Sequence, residues 1–343
     1  MHTLLALDSF KGCLTAPEAV DAAAAALAGH DVCRMPLSDG GEGFAACLAG
    51  CLGGVFRTVP VHDPLGRPLE ARYALLENGR IAVIETAAAS GLTLLNPEEL
   101  DPLYASSIGT GELMQDAVQQ GVEEIWIGLG GTAVMDCGAG LLQALAPLPD
   151  RIRIHAFYDA DVPLTGPGGA PAVFGPQKGA DAQGVAELER RFRRQAKAWK
   201  ETYGIDPERL HGAGAAGGIG AALAVCLGAE MHAGIEAVLD AVHFAERVRG
   251  CDLVITGEGK ADRQTLTGKV PFGVLQATRR HAPGIPVALL AGKVEDRDEL
   301  RAAGFDAVIQ VTPEESLKGN CLDKSFAREN IRRAVQDLVY FRD

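Results

Sequence analysis

Short apolar runs alternate with helix-forming stretches at both ends of the chain. At the start, apolar runs at 2–7 and 32–37 each lead through a polar loop into an alanine-rich stretch. Towards the end, predicted strands and helices alternate in the same way, at 253–256, 272–282, 286–290, 296–303, 307–311 and 326–341. This regular alternation predicts a parallel sheet with helices packed on its faces.

The first helix has the clearest boundary signals. Thr15 and Glu18 are spaced as in a capping box, and Pro17 lies in the expected first turn. The threonine hydroxyl can accept a hydrogen bond from a free helical N–H, while the glutamate accepts one from the capping residue. We therefore expect a helix that follows Thr15 and runs to about Leu27.

The middle of the chain has a different pattern. Three short alternating segments separated by turn residues predict an antiparallel meander, at 55–61, 69–76 and 80–85. Helices and strands then alternate again, at 111–120, 124–128, 138–145, 152–158 and 182–203. The segment from Pro163 to Gly179 is rich in glycine and proline, and its length predicts a functional loop.

These patterns predict an α/β protein whose first domain is discontinuous. Residues 1–53 and 245–343 share one pattern, so we expect them to form a doubly wound domain of Rossmann or flavodoxin type. Residues 54–244 would form an inserted second α/β domain with a mixed sheet. Ligands bind beyond the carboxyl ends of strands in such sheets, so we expect the active site in the cleft between the domains.

Composition and charge exclude several classes of protein. The 343 residues carry a net charge of −13, and no basic stripe is present that could neutralise the phosphates of a nucleic acid. The longest uncharged stretch, 212–229, is mostly glycine and alanine, so it predicts a loop and a packed helix instead of a membrane span. The eight cysteines form no CxxC pair, so we expect a reducing cytoplasm, with Cys47 and Cys51 as buried thiols.

Five segments combine glycines with a lysine or a carboxylate just after a predicted strand. Glycine lets backbone N–H groups approach a phosphate closely, lysines add positive charge, and carboxylates can hold Mg²⁺. Together these segments predict a site for an anionic, phosphorylated ligand. They span residues 8–11, 38–43, 128–132, 174–179 and 256–264.

Two glycine motifs resemble a dinucleotide fingerprint, but neither has the right surroundings. Residues 128–133 follow a predicted strand, yet Asp150, the candidate ribose carboxylate, comes before the next strand instead of at its end. Residues 212–217 follow a polar stretch. The phosphate-binding loop of P-loop enzymes is also missing, because Lys269 is followed by Val270 and not by serine or threonine.

Longer motifs reveal a resemblance that covers the chain from end to end. The chain resembles the type 1 glycerate kinases in DSFKGCLTAPEA (8–19), DGGEGF (39–44), ETAAASGL (85–92), GTGEL (109–113), GLGGTA (128–133), FGPQKGA (174–180), GAGAAGGIGAAL (212–223) and ITGEGKADRQTLTGKVPFGV (255–274). The resemblance implies phosphorylation of D-glycerate by ATP with Mg²⁺, with 2-phosphoglycerate favoured over 3-phosphoglycerate. It also implies a Rossmann- or flavodoxin-like domain joined to a second α/β domain of unusual topology.

The matched motifs suggest roles for individual residues. Phosphoryl transfer needs a carboxylate that holds a metal ion, cations that neutralise the transferring group, and a carboxylate that orients the attacking hydroxyl. The resemblance and this chemistry assign catalysis to Lys11, Asp39, Lys178 and Asp262, and metal binding to Asp39, Glu42 and Asp262. The expected contacts with substrate or nucleotide come from Asp8, Ser9, Gly40, Gly41, Glu85, Gly130, Gly131, Thr132, Glu258, Gln264 and Lys269.

The chain departs from the family pattern in its middle domain. Relatives commonly have a polar pair where this chain has Val134 and Met135, and an asparagine where it has Val162. These losses put Asp136 and Asp159 in doubt as members of a polar site. The segment between residues 145 and 152 is also shorter than the family pattern leads us to expect.

Three functions stay open at this point. The first is a glycerate kinase with D-glycerate and ATP as its partners, no nucleic acid or membrane, and a monomeric or homodimeric state. The second is a kinase for another small hydroxy acid, which the changes at Met135 and Val162 would favour. The third is a non-catalytic paralogue that binds nucleotide or hydroxy acid, against which the intact motifs DGGEG and GEGKADRQ argue.

Overall fold

The computed structural model of the chain describes residues 1–149, 151–316 and 323–340 and divides into two compact units. Unit 1 comprises Met1–Asp39, Ala46–Leu52 and Ile235–Asp343, and unit 2 comprises Gly40–Ala45 and Gly53–Gly234. The first unit is thus built from both ends of the chain. Asp150 and the end of the predicted last helix, Phe341, lie outside the described residues.

Each unit contains one β-sheet. In chain order, the strands of the described residues are β1 (His2–Leu7), β2 (Asp31–Arg34), β3 (Val55–His62), β4 (Pro68–Leu76), β5 (Ile81–Glu85), β6 (Glu124–Leu129), β7 (Arg153–Tyr158), β8 (Glu230–Ala233), β9 (Leu253–Ala261), β10 (Val287–Val294) and β11 (Ala307–Gln310).

Helices connect most of these strands. In the described residues they are α1 (Ala16–Ala25), α2 (Phe44–Leu52), α3 (Ala87–Ser90), α4 (Ile108–Gln119), α5 (Ala139–Ala144), α6 (Ala170–Phe174), α7 (Ala182–Tyr203), α8 (Ala215–Leu227), α9 (Gly234–Ala241), α10 (Phe244–Arg247), α11 (Val270–His281), α12 (Arg297–Ala302) and α13 (Lys324–Tyr340).

The sheet of unit 1 is entirely parallel, in the order β11-β10-β9-β1-β2. The chain proceeds outwards from β1 to β2 on one side and from β9 through β10 to β11 on the other. The order therefore reverses between β1 and β9, as in a doubly wound sheet of the flavodoxin type. The predicted doubly wound fold is confirmed, and the reversal identifies the edge at which ligands bind in such sheets.

Helices α1 and α13 pack together over one face of this sheet, where Leu5, Ile255 and Ile331 belong to a continuous buried core. The capping box predicted at the start of α1 is present: Thr15 Oγ1 accepts from Glu18 N, and the Glu18 carboxylate accepts from Thr15 N at 2.9 Å. That backbone hydrogen bond, with help from Lys324, lowers the pKa of Glu18 to about 2. One carboxylate therefore caps α1 and also pairs with α13.

The sheet of unit 2 is mixed, in the order β3-β4-β5-β6-β7-β8. Its first three strands form the predicted antiparallel meander, and β5 to β8 are parallel. Alternate residues of the parallel strands, such as Ile125, Ile127 and Ile154, face a buried core to which α4 and α8 contribute. The inserted mixed α/β fold predicted from the sequence is therefore confirmed.

Three parts of the structure differ from the sequence-based expectation. The segment 163–179 is not an open loop, since it contains α6 and a 3₁₀ turn at Pro176–Lys178. Strand β9 continues to Ala261, through residues expected to form a loop, because β10 continues to pair with it as far as Ala261. The short elements β8, α9 and α10 are additional to the predicted ones.

The glycine-rich segment 212–223 forms the start of α8 and is closely packed. Ala216, Gly217 and Gly218 have φ between 50° and 86°, so the first turn is not a regular helix. A Cβ atom on Gly217 would lie 2.0 Å from the carbonyl oxygen of Val134, and one on Gly220 would lie 2.1 Å from that of Gly212. These glycines serve close backbone packing, which explains the motif without a dinucleotide.

No helix among residues 1–149, 151–316 and 323–340 is long and apolar enough to span a membrane. The predicted burial of Cys47 and Cys51 is confirmed, with exposed fractions of 1% and 8%.

Replacement of Gly220 by alanine tests the packing of α8. We expect Gly220→Ala to lower the midpoint of thermal unfolding, because overpacking a closely packed site costs roughly 1–3 kcal/mol. Gly168→Ala is the matched control, since a Cβ atom there meets nothing within 4 Å. Equal midpoints for the two variants, measured by circular dichroism, would contradict the close approach.

Candidate active site

The carboxyl ends of β1 and β9 bring acidic side chains together within unit 1. Leu7 pairs with Gly257 across the two strands, and Asp8 N donates to the Gly257 carbonyl at 2.9 Å. Asp8 therefore follows β1, and Glu258 lies in β9 just beyond its last pairing with β1, at the point where the strand order reverses. This is the position at which a doubly wound sheet binds its ligand.

The carboxyl group of Asp8 is buried at this position and lies near other negative charges. Only 9% of Asp8 is exposed, and Ser9 N donates to its Oδ1 at 2.6 Å. Burial, and then the negative charges of Asp39 and Glu258, raise the pKa of Asp8 to about 7. We name Asp8, Asp39 and Glu258 the carboxylate cluster. Carboxylates held together in this way favour the binding of a cation.

Glu258 is buried and partly neutralised by its neighbours. Thr265 Oγ1 donates to Glu258 Oε1 at 2.6 Å, and Lys269 Nζ lies 3.5 Å from Oε2. Burial nevertheless raises the pKa of Glu258. The predicted binding residues Asp8, Ser9, Glu258 and Lys269 thus lie in one neighbourhood.

Asp262 has a different environment from the carboxylate cluster. It caps the 3₁₀ turn Arg263–Thr267 by accepting from Gln264 N at 2.9 Å, and Lys260 Nζ lies 3.1 Å from its Oδ2. Burial alone would raise its pKa, but Lys260, the Gln264 N–H and Lys269 hold the pKa of Asp262 below its usual range. Asp262 thus pairs with Lys260 and caps this turn, and the Gln264 side chain is exposed. The catalytic and metal-binding roles of Asp262 stay predictions.

A pocket with three lysines adjoins the carboxylate cluster in unit 1. We name it the lysine pocket; its cavity of about 250 Å³ is lined by Phe10, Lys11, Cys13, Gly259, Lys260, Gly292, Lys293, Val311, Thr312, Ala327 and Ile331. The charge of Lys11 acts on Asp8, so the pocket and the cluster are neighbours. Glu295 holds the other two lysines, at 2.9 Å from Lys260 and 2.7 Å from Lys293.

Two of these lysines received no role in the sequence analysis. Lys260 lies inside a matched motif, and Lys293 follows Gly292 at the end of β10. The register pairs Lys260 with Lys293 across adjacent parallel strands. The glycine and lysine after an apolar run at 286–290 repeat the pattern of the five selected segments, so this signal was available in the sequence.

In unit 2, Glu85 holds a backbone segment instead of facing open solvent. Its carboxylate accepts from Ala45 N at 2.8 Å and from Gly43 N at 3.2 Å, next to the first turn of α2. Burial raises the pKa of Glu85, and the exposed Glu42 contributes in the same direction. Glu85 thus holds Gly43 and Ala45 through their backbone N–H groups, and its predicted contact with substrate stays a prediction.

Close backbone contacts explain why glycine occupies two of the positions predicted to bind substrate. Gly40 has φ of 100°, and a Cβ atom on it would lie 2.9 Å from the Phe157 carbonyl oxygen. A Cβ atom on Gly130 would lie 2.7 Å from the Cα of Gly41. Residues 40–45 can therefore lie against the carboxyl ends of β6 and β7 only because these positions lack side chains.

Lys178 is the most deeply buried of the predicted catalytic residues. It is 3% exposed, and its Nζ donates to Thr132 Oγ1 at 3.0 Å and to the Val134 carbonyl at 2.9 Å. Burial lowers the pKa of Lys178 to about 7, although the charge of Asp136 acts in the opposite direction. An anion bound beside this amine would stabilise its protonated form.

The space beside Lys178 is small and partly polar. We name it the Lys178 pocket; its cavity of about 150 Å³ is lined by Leu92, Leu129, Gly130, Gly131, Thr132, Asp159, Ala160, Phe174, Gln177, Lys178, Ala215 and Ala216. The predicted residues Gly130, Gly131 and Thr132 therefore share one pocket with Lys178. Asp159, which the sequence left in doubt, lies there too.

Asp136 has a structural role. Its carboxylate accepts from the backbone N–H groups of Ser107, Gly138 and Gly140 at 2.9–3.1 Å, and from Ser107 Oγ at 2.8 Å. The adjacent Met135 is 2% exposed and lies in a core cluster, which Val162 also contacts. At the two departures from the family pattern, Met135 therefore lies in the core and the partly buried Val162 packs against it.

The predicted metal ligands are divided between the two units. Asp39 and Asp262 belong to unit 1 and Glu42 to unit 2. Within unit 1, Asp39 acts electrostatically on Asp8, whereas Asp262 is engaged with Lys260.

Comparison with known proteins gives a consistent family assignment. The sequence model of the "Glycerate kinase family" matches residues 3–148 and 146–341. The two matches meet where the sequence predicts a shortened segment, between residues 145 and 152.

Individual relatives match over almost their whole length. A Bacillus subtilis "Glycerate kinase" is 38% identical, with 91% of each chain covered. An Escherichia coli "Glycerate 2-kinase" is 36% identical over 99% of this chain and 97% of its own. A crystal structure from Salmonella typhimurium LT2, whose description names glycerate kinase 2, is 37% identical, with a TM-score of 0.85 over 99% of this chain and 98% of its own.

These matches confirm the resemblance that the motifs indicated. They extend through both units, and the family model covers the carboxylate cluster, the lysine pocket and the Lys178 pocket. The chain therefore belongs to the glycerate kinase family, whose members are phosphotransferases.

Proposed function

We propose that the protein transfers the γ-phosphoryl group of ATP, in the presence of Mg²⁺, to the 2-hydroxyl group of D-glycerate. The observation that carries this proposal is the carboxylate cluster beside the lysine pocket at the strand reversal of unit 1. A triphosphate with its metal ion needs lysines and carboxylates close together. Relatives named glycerate kinase and glycerate 2-kinase support the substrate and the acceptor hydroxyl.

The lysine pocket is the proposed nucleotide site. Lys11, Lys260 and Lys293 would meet phosphate oxygens as cations. Phe10 and Ile331 supply part of an apolar wall in the same pocket, which suits a purine ring. Glu295 holds Lys260 and Lys293, so these two lysines are oriented before a ligand binds.

The carboxylate cluster has the donor chemistry that Mg²⁺ requires. Mg²⁺ prefers oxygen ligands and is commonly bound through one or two carboxylates together with substrate phosphates. Asp8 and Asp39 would hold the ion, and its binding would relieve the repulsion that raises the pKa of Asp8. The bound ion would supply charge neutralisation to the phosphate oxygens.

The Lys178 pocket is the proposed site for the hydroxy acid. Its cavity of about 150 Å³ is small, as a three-carbon acid requires, and it contains one buried amine and the Asp159 carboxylate. Lys178 would pair with the glycerate carboxylate, held in place by Thr132 and the Val134 carbonyl. Asp159 would accept a hydrogen bond from a substrate hydroxyl.

A kinase for a different hydroxy acid is less well supported. That alternative depends on the changes at Met135 and Val162, which are packed in the core and do not line the Lys178 pocket. A cytoplasmic location and a monomeric or homodimeric state stay predictions from the sequence.

The reaction and its acceptor hydroxyl can be tested together. We expect ADP to form only when D-glycerate, ATP and Mg²⁺ are all present, with kcat/KM higher for D-glycerate than for tartronate or lactate. Carbon-13 NMR of the product should show phosphorus coupling centred on C2. Coupling centred on C3 would contradict 2-hydroxyl transfer, and no glycerate-dependent ADP would contradict the kinase assignment.

Replacement of Asp8 by asparagine should lower the activity and raise the stability at high pH. We expect Asp8→Asn to lower kcat/KM by roughly 100-fold or more, as when one preorganised electrostatic group is lost. In the wild type, folding raises the pKa of Asp8 from 3.8 to about 7, so this group reduces stability progressively as the pH rises through that range. The variant should therefore unfold at a higher temperature than the wild type at pH 8, but not at pH 4.

The control for this measurement is Asp21→Asn, on the exposed surface of α1 in the same unit. It should leave both the activity and the pH dependence of unfolding unchanged. An inactive Asp8→Asn protein that is also less stable at pH 8 would indicate a purely structural role for Asp8.

Two lysine variants should each raise the KM for a different substrate. We expect Lys178→Met to raise the KM for glycerate by roughly 10- to 100-fold, the cost of losing a hydrogen bond to a charged group, with little change in the KM for ATP. Lys293→Met should raise the KM for ATP and not that for glycerate. Each variant serves as the control for the other, and an equal rise in both constants would contradict the separate sites.

A further inference from the structure

A group of potential metal ligands that line neither the lysine pocket nor the Lys178 pocket lies on the sheet of unit 2. Strands β7 and β8 are adjacent and parallel, and their register pairs His155 with Glu230 and Phe157 with His232. Because side chains alternate along a strand, His155, Glu230 and His232 project from the same face of the sheet. We name these three residues the histidine cluster.

The donor atoms of the histidine cluster form a compact triangle. His155 Nδ1 lies 2.9 Å from His232 Nε2 and 3.3 Å from Glu230 Oε2, and His232 Nε2 lies 3.8 Å from Glu230 Oε2. A tetrahedral ion with ligand bonds of about 2.0–2.1 Å places neighbouring donor atoms about 3.3 Å apart. The three observed separations lie on both sides of this value, so one ion can reach all three atoms with small adjustments.

Neighbouring side chains hold the two imidazole rings in place. Phe157 stacks on His232 with ring centroids 5.0 Å apart, and Trp126 meets the edge of His155 at 6.3 Å. Glu124 Oε2 lies 3.8 Å from the other ring nitrogen of His155, where a carboxylate commonly orients a metal-binding histidine.

We propose that the histidine cluster binds one first-row transition-metal ion of the zinc class, through His155 Nδ1, His232 Nε2 and the Glu230 carboxylate. Two imidazoles and one carboxylate suit Zn²⁺ or Co²⁺, whereas Mg²⁺ prefers oxygen ligands alone. Three protein ligands leave a fourth position for water. The site is therefore independent of the Mg²⁺ ion required by the proposed reaction.

The bound ion would fasten an edge strand. Strand β8 has four residues, forms the edge of its sheet and is followed at Gly234 by the end of unit 2. Such a short strand has few backbone hydrogen bonds to retain it. A metal bridge from β8 to His155 on β7 would stabilise the segment through which the chain leaves this unit.

Metal titration of the full-length protein tests this site. The protein is prepared without a histidine tag, freed of metal with a chelator and titrated with Co²⁺. We expect one equivalent to bind with the visible absorption of a four- or five-coordinate site, and Zn²⁺ to displace it. Zn²⁺ alone should raise the midpoint of thermal unfolding.

Three variants separate the proposed site from general surface binding. Glu230→Gln changes an exposed side chain, and His232→Gln removes one imidazole; each should weaken Co²⁺ binding roughly tenfold or more. His62→Gln is the matched control, because His62 and Glu112 form a single imidazole–carboxylate pair at 2.7 Å in the same unit. Binding by this control should equal that of the wild type.

Three outcomes would overturn the proposal: no binding at one equivalent, equal affinity in the wild type and His232→Gln, or half an equivalent accompanied by a metal-dependent dimer. Glycerate-dependent ADP formation with Mg²⁺ should be the same for the wild type and His232→Gln. Failure of the metal site is thereby distinguished from failure of the proposed kinase reaction.

Discussion

Close approach of backbone segments, possible only where side chains are absent, determines where the charged groups of this protein lie. Residues 40–45 reach the carboxyl ends of β6 and β7 because a side chain at Gly40 or Gly130 would collide with neighbouring backbone. In unit 1, a Cβ atom on Gly259 would lie 3.0 Å from the backbone nitrogen of Lys11. These three glycines therefore meet a packing requirement that positions Lys11 and the segment held by Glu85.

Asp8 and Lys178 are held in surroundings that disfavour their charged forms. Burial and neighbouring carboxylates raise the pKa of Asp8 to about 7, and burial lowers that of Lys178 to about 7. Each shift indicates a group that would gain from a partner of opposite charge. The two groups have opposite charges when ionised, so the carboxylate cluster around Asp8 suits a cation and the Lys178 pocket suits an anion.

Other carboxylates in the two units already have hydrogen-bond or ionic partners. Asp136 and Asp262 are satisfied by backbone N–H groups or by lysine. Glu85 accepts two hydrogen bonds from backbone, although burial still raises its pKa. Such carboxylates position loops and lysines. The histidine cluster differs again, because its nitrogen donors favour a softer ion than the oxygen donors near Asp8. The chemistry of the donor atoms, more than their number, distinguishes these sites.

The sequence by itself determined the family, the doubly wound and mixed sheets, and most residues of the candidate sites, because periodicity and motifs are local properties of a chain. It also indicated the glycines and lysines at strand ends, although Lys293 was overlooked. Tertiary structure alone decided which carboxylates have a raised pKa and which are paired with hydrogen-bond donors or lysine. Asp8 and Glu258, for example, become neighbours only through the pairing of β1 with β9. The same holds for His155 and His232, which are 77 residues apart in the chain and meet only across paired strands.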